Sequence, residues 1–275
     1  MKPVAISVIM PIFNTKEEYL KQAIESILNQ TFKDFEFIII NDGSTNNAEE
    51  IILSYDDPRI KYIKNEYNLK LIKTLNKGLS LASGKYIARL DADDTCTEER
   101  LQKQFDYMEE HPNIGLLGTF ITLLPEQKKL NLITDSKQLK IILRYGKNCL
   151  THSSVMIRKS ILDKYNLKYG EYCLHAEDYK LWTEMVQYCD VTNLPEYLVS
   201  YRLSPTGICA THQLEQQKMT SIIVLDNIIN DFDCNKEFMY SILTKYTKEQ
   251  ELTKLEYYAI EKLFIEVIKY VKVNL

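Results

Sequence analysis

The chain has 275 residues with 45% hydrophobic and 26% charged side chains, a composition typical of a soluble globular protein long enough for one large domain. Its formal net charge of −4, with no basic run in the sequence, argues against nucleic acid as the main partner. No apolar run reaches the roughly 18 residues of a membrane span, and the six cysteines lie far apart, so we expect a cytoplasmic protein with reduced thiols.

Strands and helices alternate through the first 119 residues. Short apolar runs predict strands at residues 6–10, 35–40, 60–63, 86–90 and 114–119. Apolar residues at helical spacing predict helices at residues 19–28, 48–53 and 71–81. A fourth helix is marked by Leu101, Phe105 and Met108, with Thr95 and Glu98 before it at the spacing of a capping box. This alternation predicts an α/β fold with a mostly parallel sheet and helices on both faces.

The pattern loosens from about Leu124 onward. It predicts short strands at 155–157 and 197–201 and a helix at 177–186. Beyond Gly207 the chain is helical to its end, with candidate helices at 214–229, 236–245 and 252–273. We therefore expect an α/β domain at residues 1–205, followed by a helical extension at residues 206–275.

Polar side chains follow three of the predicted strands, at the point where each strand ends. Residues 11–14 follow the first strand, Asn41 and Asp42 follow the second, and residues 91–93 follow the fourth. Sheets of this kind bind their ligands in the crevice beyond the carboxyl ends of the strands. These polar segments therefore predict a binding site at one edge of the sheet.

Three carboxylates, Asp91, Asp93 and Asp94, lie within four positions after the fourth strand. If the segment is extended, Asp91 and Asp93 face one side and Asp94 the other. Because clustered acids repel one another, we expect a bound cation, and Mg²⁺ or Mn²⁺ shares such ligands with phosphate oxygens. The glycine-rich dinucleotide fingerprint and the Walker loop are both missing, which favours phosphates held through a metal. Surface loops also carry acids, so a solvated acidic loop is the alternative.

Four segments together resemble the family 2 glycosyltransferases, which are inverting nucleotide-sugar enzymes with the GT-A fold. They are residues 8–14 (VIMPIFN), 40–44 (INDGS), 88–94 (ARLDADD) and 176–182 (AEDYKLW). The resemblance covers roughly residues 4–205. It implies a GT-A-like sheet with a nucleotide-sugar part at about 1–118 and an acceptor part at about 119–205.

The resemblance also implies roles for individual side chains. The expected nucleotide-sugar contacts, with Asp42 receiving the uracil or ribose, are Pro11, Phe13, Asn14, Asp42, Arg89, Asp91 and Asp93. Asp93 is the expected direct ligand of Mn²⁺ or Mg²⁺, and Asp178 the expected catalytic base. An alternative for Asp42 is a simple turn residue, because Asn-Asp-Gly-Ser is favourable turn chemistry. The alternative for Asp178 is an acid that stabilises a helix start.

Inverting sugar transfer is consistent with these assignments. It is a single displacement at the anomeric carbon and needs one carboxylate to take the proton of the acceptor hydroxyl. It also needs a positive centre to stabilise the departing diphosphate, which a metal supplies.

Other residues leave alternatives open. His152 lies in a segment that resembles the surroundings of the family's active site, but a structural histidine explains it equally. Trp182 either flanks an acceptor sugar or packs in the core. Family members often have glycine at the position of Lys70 and histidine at that of Ser204, so the roles of Lys70, Ser204 and His212 stay open.

From the resemblance we expect transfer of a hexose or N-acetylhexosamine from a UDP-sugar to a lipid-linked or protein-linked glycan acceptor. The expected setting is bacterial surface polysaccharide, lipopolysaccharide or glycoprotein glycan synthesis. The alternatives are a sugar-phosphate nucleotidyltransferase and an inactive glycan-binding relative. The apolar stripe of the last helix either packs within the protein, joins copies in a homo-oligomer, or contacts the inner face of the membrane.

Overall fold

The computed structural model describes residues 4–204 and 207–274. Strands and helices alternate along the first part of the chain, which confirms the predicted α/β pattern. In chain order these elements are β1 (Ile6–Ile12), α1 (Glu17–Leu28), β2 (Phe35–Asn41), α2 (Ala48–Leu53), β3 (Ile60–Lys64), α3 (Leu71–Leu81), β4 (Tyr86–Arg89), β5 (Thr95–Cys96), α4 (Arg100–Glu110) and β6 (Ile114–Leu124).

The second part of the chain contains more regular structure than its sequence pattern predicts. Its elements are β7 (Lys128–Leu130), α5 (Ser136–Tyr145), a 3-10 turn (His152–Ser154), β8 (Met156–Arg158), α6 (Lys159–Tyr165), α7 (Glu177–Met185), β9 (Asp190–Arg202), α8 (Ile208–Thr211), α9 (Gln213–Asp231), α10 (Lys236–Thr247) and α11 (Lys254–Asn274). The predicted helices α7, α9, α10 and α11 are confirmed. Helices α5 and α6 are additional, and the strand predicted at 197–201 is the end of the longer β9.

All these strands belong to one sheet. Their order is β3-β2-β1-β4-β8-β6-β9-β5, with β7 paired to β6. Strands β3, β2, β1 and β4 are parallel neighbours, and β6 is parallel to β9. Strands β8 and β5 run antiparallel to the strands beside them. The sheet is therefore mostly parallel, as predicted, and the carboxyl ends of β2, β1 and β4 lie side by side.

Helices cover both faces of the sheet. Every residue of β1 and β2 is buried, which explains their nearly continuous apolar sequences. On one face, alternate residues of β1 such as Val8 and Met10 pack in one core with the buried stripe of α1. On the other face, Ile9 packs in a second core with Ile72 and Leu75 of α3. These two cores hold the strand ends that carry the site in place.

The C-terminal helices share the second core with the α/β part. Ile223 and Ile228 of α9 are buried there together with residues of α5 and α7. Arg144 of α5 donates to both carboxylate oxygens of Asp231 in α9 at 2.6 and 2.7 Å, and to the carbonyl oxygen of Thr183 in α7 at 2.9 Å. The expected division between a domain at 1–205 and an extension at 206–275 stays a prediction, since residue 205 itself lies outside the described residues.

The capping box predicted from Thr95 and Glu98 is wrong. Thr95 and Cys96 form β5, which pairs with Ser200 and Val199 at the end of β9. Helix α4 begins later, at Arg100, and Glu99 caps it without a side-chain hydrogen bond. Pairing with β9 supplies main-chain hydrogen bonds that a local cap does not, so tertiary contact overrides the local motif.

Two further expectations concern the thiols and the membrane. The described cysteine side chains are free thiols, as predicted: Cys96, Cys149, Cys173, Cys189 and Cys234. The side chain of Cys209 lies outside the described set. Within residues 4–204 and 207–274, no helix combines the length and the apolar character that crossing a bilayer requires.

Two loops meet beside the end of β2. Gly43 has φ of +73°, and a Cβ on it would lie 2.8 Å from the main-chain carbon of Tyr67. Lys70, which caps α3, has φ of 73° and ψ of 160°. This region of backbone space is essentially restricted to glycine. Lys70 therefore occupies a backbone position that favours glycine.

Replacing Lys70 with glycine relieves that backbone strain. Strain of this kind costs about 1–3 kcal/mol, and the added flexibility of glycine in the unfolded chain offsets roughly 0.5–1 kcal/mol. We expect Lys70→Gly to raise the free energy of unfolding by about 1 kcal/mol, measured by urea denaturation. The control is Lys73→Gly on the exposed side of α3, which should lower it by about 1 kcal/mol. Equal losses in both variants would contradict a strained Lys70.

Candidate active site

The candidate site lies along the carboxyl ends of β2, β1 and β4. Ile12 pairs with Asn41 across β1 and β2, and Ile9 pairs with Arg89 across β1 and β4. Neighbouring strands are about 4.8 Å apart. The segments that follow these strands, which carry Asp42, Phe13 and Asp91, are therefore adjacent, as the sequence predicts.

The end of β1 carries three of the predicted nucleotide contacts. Pro11 is buried and lies beyond Ile9, the last residue of β1 that pairs with β4, so its missing N–H leaves that ladder intact. Phe13 is 49% exposed, which leaves its ring free to pack against a ligand. Asn14 has φ of 51° and accepts a hydrogen bond from the main chain of Thr45 at 2.8 Å. Asn14 thereby ties the loop after β1 to the loop after β2.

Asp42 is held in a fixed orientation at the end of β2. It is only 4% exposed, and its Oδ1 accepts hydrogen bonds from Asn65 Nδ2 and from the main chain of Leu69, each at 2.8 Å. Asn65 in turn accepts from Lys77 Nζ at 2.6 Å, which fixes which way its amide points. Both donors bind Oδ1 and leave Oδ2 for a ligand. Asp42 is therefore a buried and oriented carboxylate and not a solvent-exposed turn residue, and its role in nucleotide binding stays a prediction.

Sequence reasoning did not identify Asn65. It is 3% exposed and directly follows β3, so it lies at the same edge of the sheet as Asp42. The signal that identifies the other site segments, a polar residue immediately after an apolar strand, also applies here.

The acids after β4 form a turn, so the predicted alternation of an extended segment is wrong. The main-chain N–H of Asp94 donates to the carbonyl oxygen of Asp91 at 3.2 Å, closing the turn. Asp91 pairs with Arg89 Nη1 at 2.6 Å and accepts from the hydroxyl of Ser153 at 2.8 Å. Burial disfavours the charge on Arg89, but the neighbouring Asp91 outweighs it and leaves the arginine pKa raised. Arg89 is 2% exposed, so its charged group contacts Asp91 and is shielded from solvent.

The other two acids of the turn have different environments. Asp94 is fully buried and accepts from the main chain of Arg202 at 2.7 Å, which makes it part of the framework. Asp93 stays partly exposed. Burial, and after it the charge of Asp91, raises the pKa of Asp93. Asp91 and Asp93 are therefore the acids of this turn that solvent reaches, and Asp93 is the one of the two without an ion pair to Arg89.

Arg202 at the end of β9 fastens the acidic turn, and sequence reasoning did not identify it. Its Nε donates to the carbonyl oxygen of Asp93 at 2.9 Å, and its guanidinium lies 3.9 Å from the ring centroid of Tyr19 in α1. The nearby charge lowers the pKa of Asp93, although burial dominates. Arg202 contacts a turn of three acids, but 108 positions separate it from Asp94 in the sequence. Sequence spacing therefore does not reveal this contact.

Asp178 lies in the first turn of α7 and is partly exposed. Its Oδ1 accepts from the main chain of Tyr179 at 2.6 Å, and its Oδ2 accepts from Asn148 Nδ2 at 2.9 Å. Burial raises the pKa of Asp178, while these two hydrogen bonds oppose the rise. The neighbouring Glu177 is 7% exposed, and burial together with the charge of Asp178 raises its pKa to about 7. A carboxylate with a raised pKa is suited to accept a proton near neutral pH.

The helix start and the acidic turn lie near each other. Ser153 bonds Asp91, and the adjacent His152 lies against Trp182 of α7. The charges of Arg89 and Asp91 accordingly act on both Asp178 and Glu177, although 87 positions separate Asp91 from Asp178 in the sequence. Asp42 is on the same edge of the sheet, two strands away.

The residues present fit a divalent cation bound together with phosphates. Among the residues that the structure describes, no three His, Cys, Asp or Glu side chains are grouped closely enough to hold a metal alone. Mg²⁺ and Mn²⁺ commonly take one or two carboxylates and complete their shell with phosphate and water. Asp93, partly exposed and destabilised as an anion by burial and by Asp91, would provide such a carboxylate.

The structure also gives the surroundings of the residues whose roles the sequence leaves open. Trp182 is 0% exposed, which confirms the core interpretation. His152 bonds the hydroxyl of Tyr169 at 2.8 Å, and burial, followed by the charge of Arg89, lowers its pKa well below the usual range. His212 stacks on His175 with ring centroids 4.2 Å apart. Ser204 is partly buried at the end of the first described range.

Comparisons with known proteins identify relatives of the chain. The sequence is 38% identical over 257 residues to an uncharacterized glycosyltransferase of Methanocaldococcus jannaschii, with 86% of each chain covered. It is 35% identical to the O-antigen biosynthesis glycosyltransferase WbnJ of Escherichia coli, covering 86% of this chain and 96% of WbnJ. It is 28% identical to the E. coli UDP-Glc:alpha-D-GlcNAc-diphosphoundecaprenol beta-1,3-glucosyltransferase WfgD, covering 79% and 85%.

Solved structures with the same fold include Staphylococcus aureus TarS residues 1–349 in complex with UDP-GlcNAc. TarS superimposes with a TM-score of 0.69 at 17% identity, covering 88% of this chain and 71% of TarS. The mannosyltransferase PcManGT of Pyrobaculum calidifontis, in complex with GDP-Man and Mn²⁺, gives a TM-score of 0.63 at 13% identity, covering 88% and 68%. At these identities the likeness establishes the fold, which is GT-A.

The family assignment comes from the sequence. The family model described as Glycosyl transferase family 2 matches residues 7–165, more than half of the chain. That match includes the strand ends that carry Asp42 and Asp93. The chain therefore belongs to glycosyl transferase family 2 and has the GT-A fold.

Proposed function

We propose that the chain transfers a hexose or N-acetylhexosamine from a UDP-sugar to a glycan acceptor with inversion at the anomeric carbon. The observation that carries the proposal is the position of Asp178 at the start of α7, a helix linked to the Arg89–Asp91 pair through His152 and Ser153 of the 3-10 turn. A single displacement needs a base for the acceptor hydroxyl close to a site for the departing diphosphate. In this proposal Asp178 of α7 supplies the base, and the turn after β4 supplies the site for the diphosphate.

The choice of UDP and of the pathway rests on relatives. The name of WfgD gives UDP-Glc as its donor and a diphosphoundecaprenol-linked sugar as its acceptor. The name of WbnJ places it in O-antigen biosynthesis, and TarS was solved with UDP-GlcNAc. We therefore propose a UDP-sugar donor, a lipid-linked or protein-linked glycan acceptor, and a setting in bacterial surface polysaccharide, lipopolysaccharide or glycoprotein glycan synthesis, in the cytoplasm.

Asp178 is the proposed base. Its two oxygens are held by the main chain of Tyr179 and by Asn148, so the carboxylate has one orientation toward the acceptor. Burial keeps its pKa above that of an ordinary aspartate. Asp178 takes the proton from the acceptor oxygen while that oxygen attacks the anomeric carbon and the bond to the diphosphate breaks.

The nucleotide is bound, in this proposal, by the ends of β1 and β2. The free Oδ2 of Asp42 accepts a hydrogen bond from the uracil or ribose, while Phe13 supplies an exposed ring and Pro11 and Asn14 shape the pocket. Asp91, held by Arg89, lies beside the sugar-phosphate part. Asp93 would hold Mn²⁺ or Mg²⁺, which supplies Lewis-acid stabilisation of the departing diphosphate when bound.

Removal of the proposed base tests the mechanism. We expect Asp178→Ala to lower turnover by about 10²–10⁴-fold, because a general base contributes about that much. Affinity for UDP, measured by calorimetry, should be unchanged, since Asp178 faces the acceptor. In the wild type, turnover should fall as the pH drops through the Asp178 pKa, because protonation removes the base, with a midpoint above the ordinary aspartate value of about 3.9. Full turnover in Asp178→Ala would remove this residue from the mechanism.

Removal of the proposed metal ligand tests the donor site. Binding of UDP-glucose and UDP-GlcNAc is measured by calorimetry or thermal shift, with and without Mn²⁺. We expect Mn²⁺ to strengthen binding to the wild type and to have no such effect on Asp93→Ala, since that carboxylate joins the cation to the protein. A matched control is Asp106→Ala, an exposed acid on α4. An unchanged response of Asp93→Ala would place the cation elsewhere.

Removal of the hydrogen bond from Asn65 to Asp42 tests whether Asp42 binds the nucleotide. Asn65→Asp replaces a donor with a second carboxylate at 2.8 Å from Asp42, and like charges at that distance repel strongly. We expect the KM for the donor to rise about tenfold, which corresponds to about 1.4 kcal/mol, with a smaller change in kcat. Asn46→Asp in the exposed loop after β2 is the control. An unaltered donor KM in Asn65→Asp would show that Asp42 does not bind the nucleotide.

The reaction products separate this proposal from other activities of an acid-lined α/β site. A glycosyltransferase releases UDP from the nucleotide sugar, whereas a sugar-phosphate nucleotidyltransferase releases pyrophosphate from a nucleoside triphosphate. A glycan-binding relative releases neither. The assay therefore follows UDP and pyrophosphate in parallel, with the Asp178→Ala protein as the blank.

A further inference from the structure

A three-residue turn lies between the donor side and the acceptor side of the site. The 3-10 turn His152–Ser154 follows α5 and precedes β8, which is the neighbour of β4 in the sheet. Its backbone is closed by a 2.8 Å hydrogen bond from Ser154 N–H to the carbonyl oxygen of Thr151. The turn is thus anchored next to the end of β4.

The second residue of the turn holds the donor side. Ser153 is fully buried, and its hydroxyl donates to Asp91 Oδ2 at 2.8 Å and accepts from the main chain of Asp91 at 3.1 Å. The same hydroxyl lies 3.4 Å from Arg89 Nη1. Ser153 therefore fixes both the main chain and the carboxylate of Asp91.

The first residue of the turn holds the acceptor side. His152 Nε2 shares a 2.8 Å hydrogen bond with the hydroxyl of Tyr169, and the rings of His152 and Trp182 lie nearly perpendicular with their centroids 5.9 Å apart. Tyr169 lies at the start of the loop that leads to Glu177 and Asp178, and Trp182 lies one turn after Asp178 in α7. One histidine therefore contacts the chain on both sides of the proposed base.

Tyr169 is itself fixed from a third direction. Asn76 of α3 donates to its carbonyl oxygen at 2.9 Å and accepts from its main-chain N–H at 3.0 Å. Tyr169 is 2% exposed, and burial raises the pKa of its phenol, so the hydroxyl stays neutral and able to form this bond. Such a two-point clamp on a main chain leaves that segment with one position.

We propose that Tyr169 and His152 are positioning residues, which set the distance between the base Asp178 and the donor-side acid Asp91. The inference rests on the proposed function. It adds the contacts that fix the position of Asp178 on the acceptor side relative to Asp91 on the donor side. Neither residue touches the reacting atoms. Loss of the bond between them lets the 170–176 loop and the start of α7 shift, and a displacement of about 1 Å in such a site costs up to about 100-fold in rate.

Tyr169→Phe tests the inference, because it removes the hydroxyl and keeps the ring. We expect kcat to fall about 10- to 100-fold, while the KM for the nucleotide sugar and the calorimetric affinity for UDP stay within about twofold of wild type. Hydrogen exchange of residues 170–176 should become faster. Unchanged kcat in a folded Tyr169→Phe protein would overturn the proposal, even if its stability falls.

Tyr86→Phe is the matched control. Tyr86 is also fully buried, and its hydroxyl also has polar partners, Glu109 at 2.6 Å and Arg158 at 2.9 Å, but it lies at the amino end of β4, away from the site. We expect it to lower stability and leave kcat unaltered. An equal loss of kcat in both variants would mean that any buried hydroxyl matters and would also overturn the proposal.

A second variant keeps the inference testable if Tyr169→Phe does not fold. Asn76→Ala, on a helix, removes the clamp on the Tyr169 main chain and should lower kcat with the same unaltered UDP affinity; full kcat would again count against the proposal. Wild-type activity separates the two levels of inference. If wild type releases no UDP from UDP-glucose or UDP-GlcNAc, the proposed function fails; if it does and the variants keep full kcat, the positioning role alone fails.

Discussion

The structure depends most on how it holds carboxylates of like charge close together at one edge of the sheet. Asp91, Asp93 and Asp94 share a turn, and Glu177 and Asp178 face it from α7. Removing such charges from water is costly unless each has a partner. Two buried or partly buried arginines meet that need in part, Arg89 beside Asp91 and Arg202 behind the turn, while burial still raises the pKa of Asp93, Asp94 and Glu177.

The arginines compensate the negative charges of Asp91 and Asp93 to different extents. This difference fits the roles proposed for the two acids. Asp91 has a direct ion pair at 2.6 Å, whereas Asp93 receives help from Arg202 chiefly through its main-chain carbonyl. Burial therefore leaves the pKa of Asp93 raised, which is the state of a carboxylate that a bound cation would stabilise. A fully neutralised cluster would be a better framework and a poorer binding site.

Much of this could be predicted from the sequence, because the central strands are apolar runs and the polar residues follow them at once. Asp42, Asp91 and Asp93 could be placed at one edge from the strand pattern alone, and the structure places them there. The form of the acidic turn could not. An extended segment and a turn have the same composition, and the choice between them is made by Ser153 and Arg202, 62 and 109 positions from the residues they hold.

Contacts between residues far apart in the sequence also explain why the capping box predicted at Thr95 is wrong and why Arg202 was not expected in the site. Asn65 was also missed. A capping box is a local signal. Here Thr95 pairs with β9, a strand about a hundred residues later, and does not cap α4. Arg202 lies at the end of that strand, so its role depends on how β9 returns to the edge of the sheet. Asn65 was within reach of the strand-end argument, but without a known role for the end of β3 nothing in the spacing distinguished it.

The C-terminal helices are part of the frame of the site. Helix α7, which carries Asp178, is tied to α9 through Lys180 and Asp226 at 3.4 Å, and α5 joins both through Arg144. Lys180 is largely buried, so this pair is screened by solvent less than a surface salt bridge is. On the opposite face of α7, the ring of Trp182 contacts the ring of His152. Because α7 is held from both sides, the position of the proposed base depends on the helices after β9 as well as on the sheet.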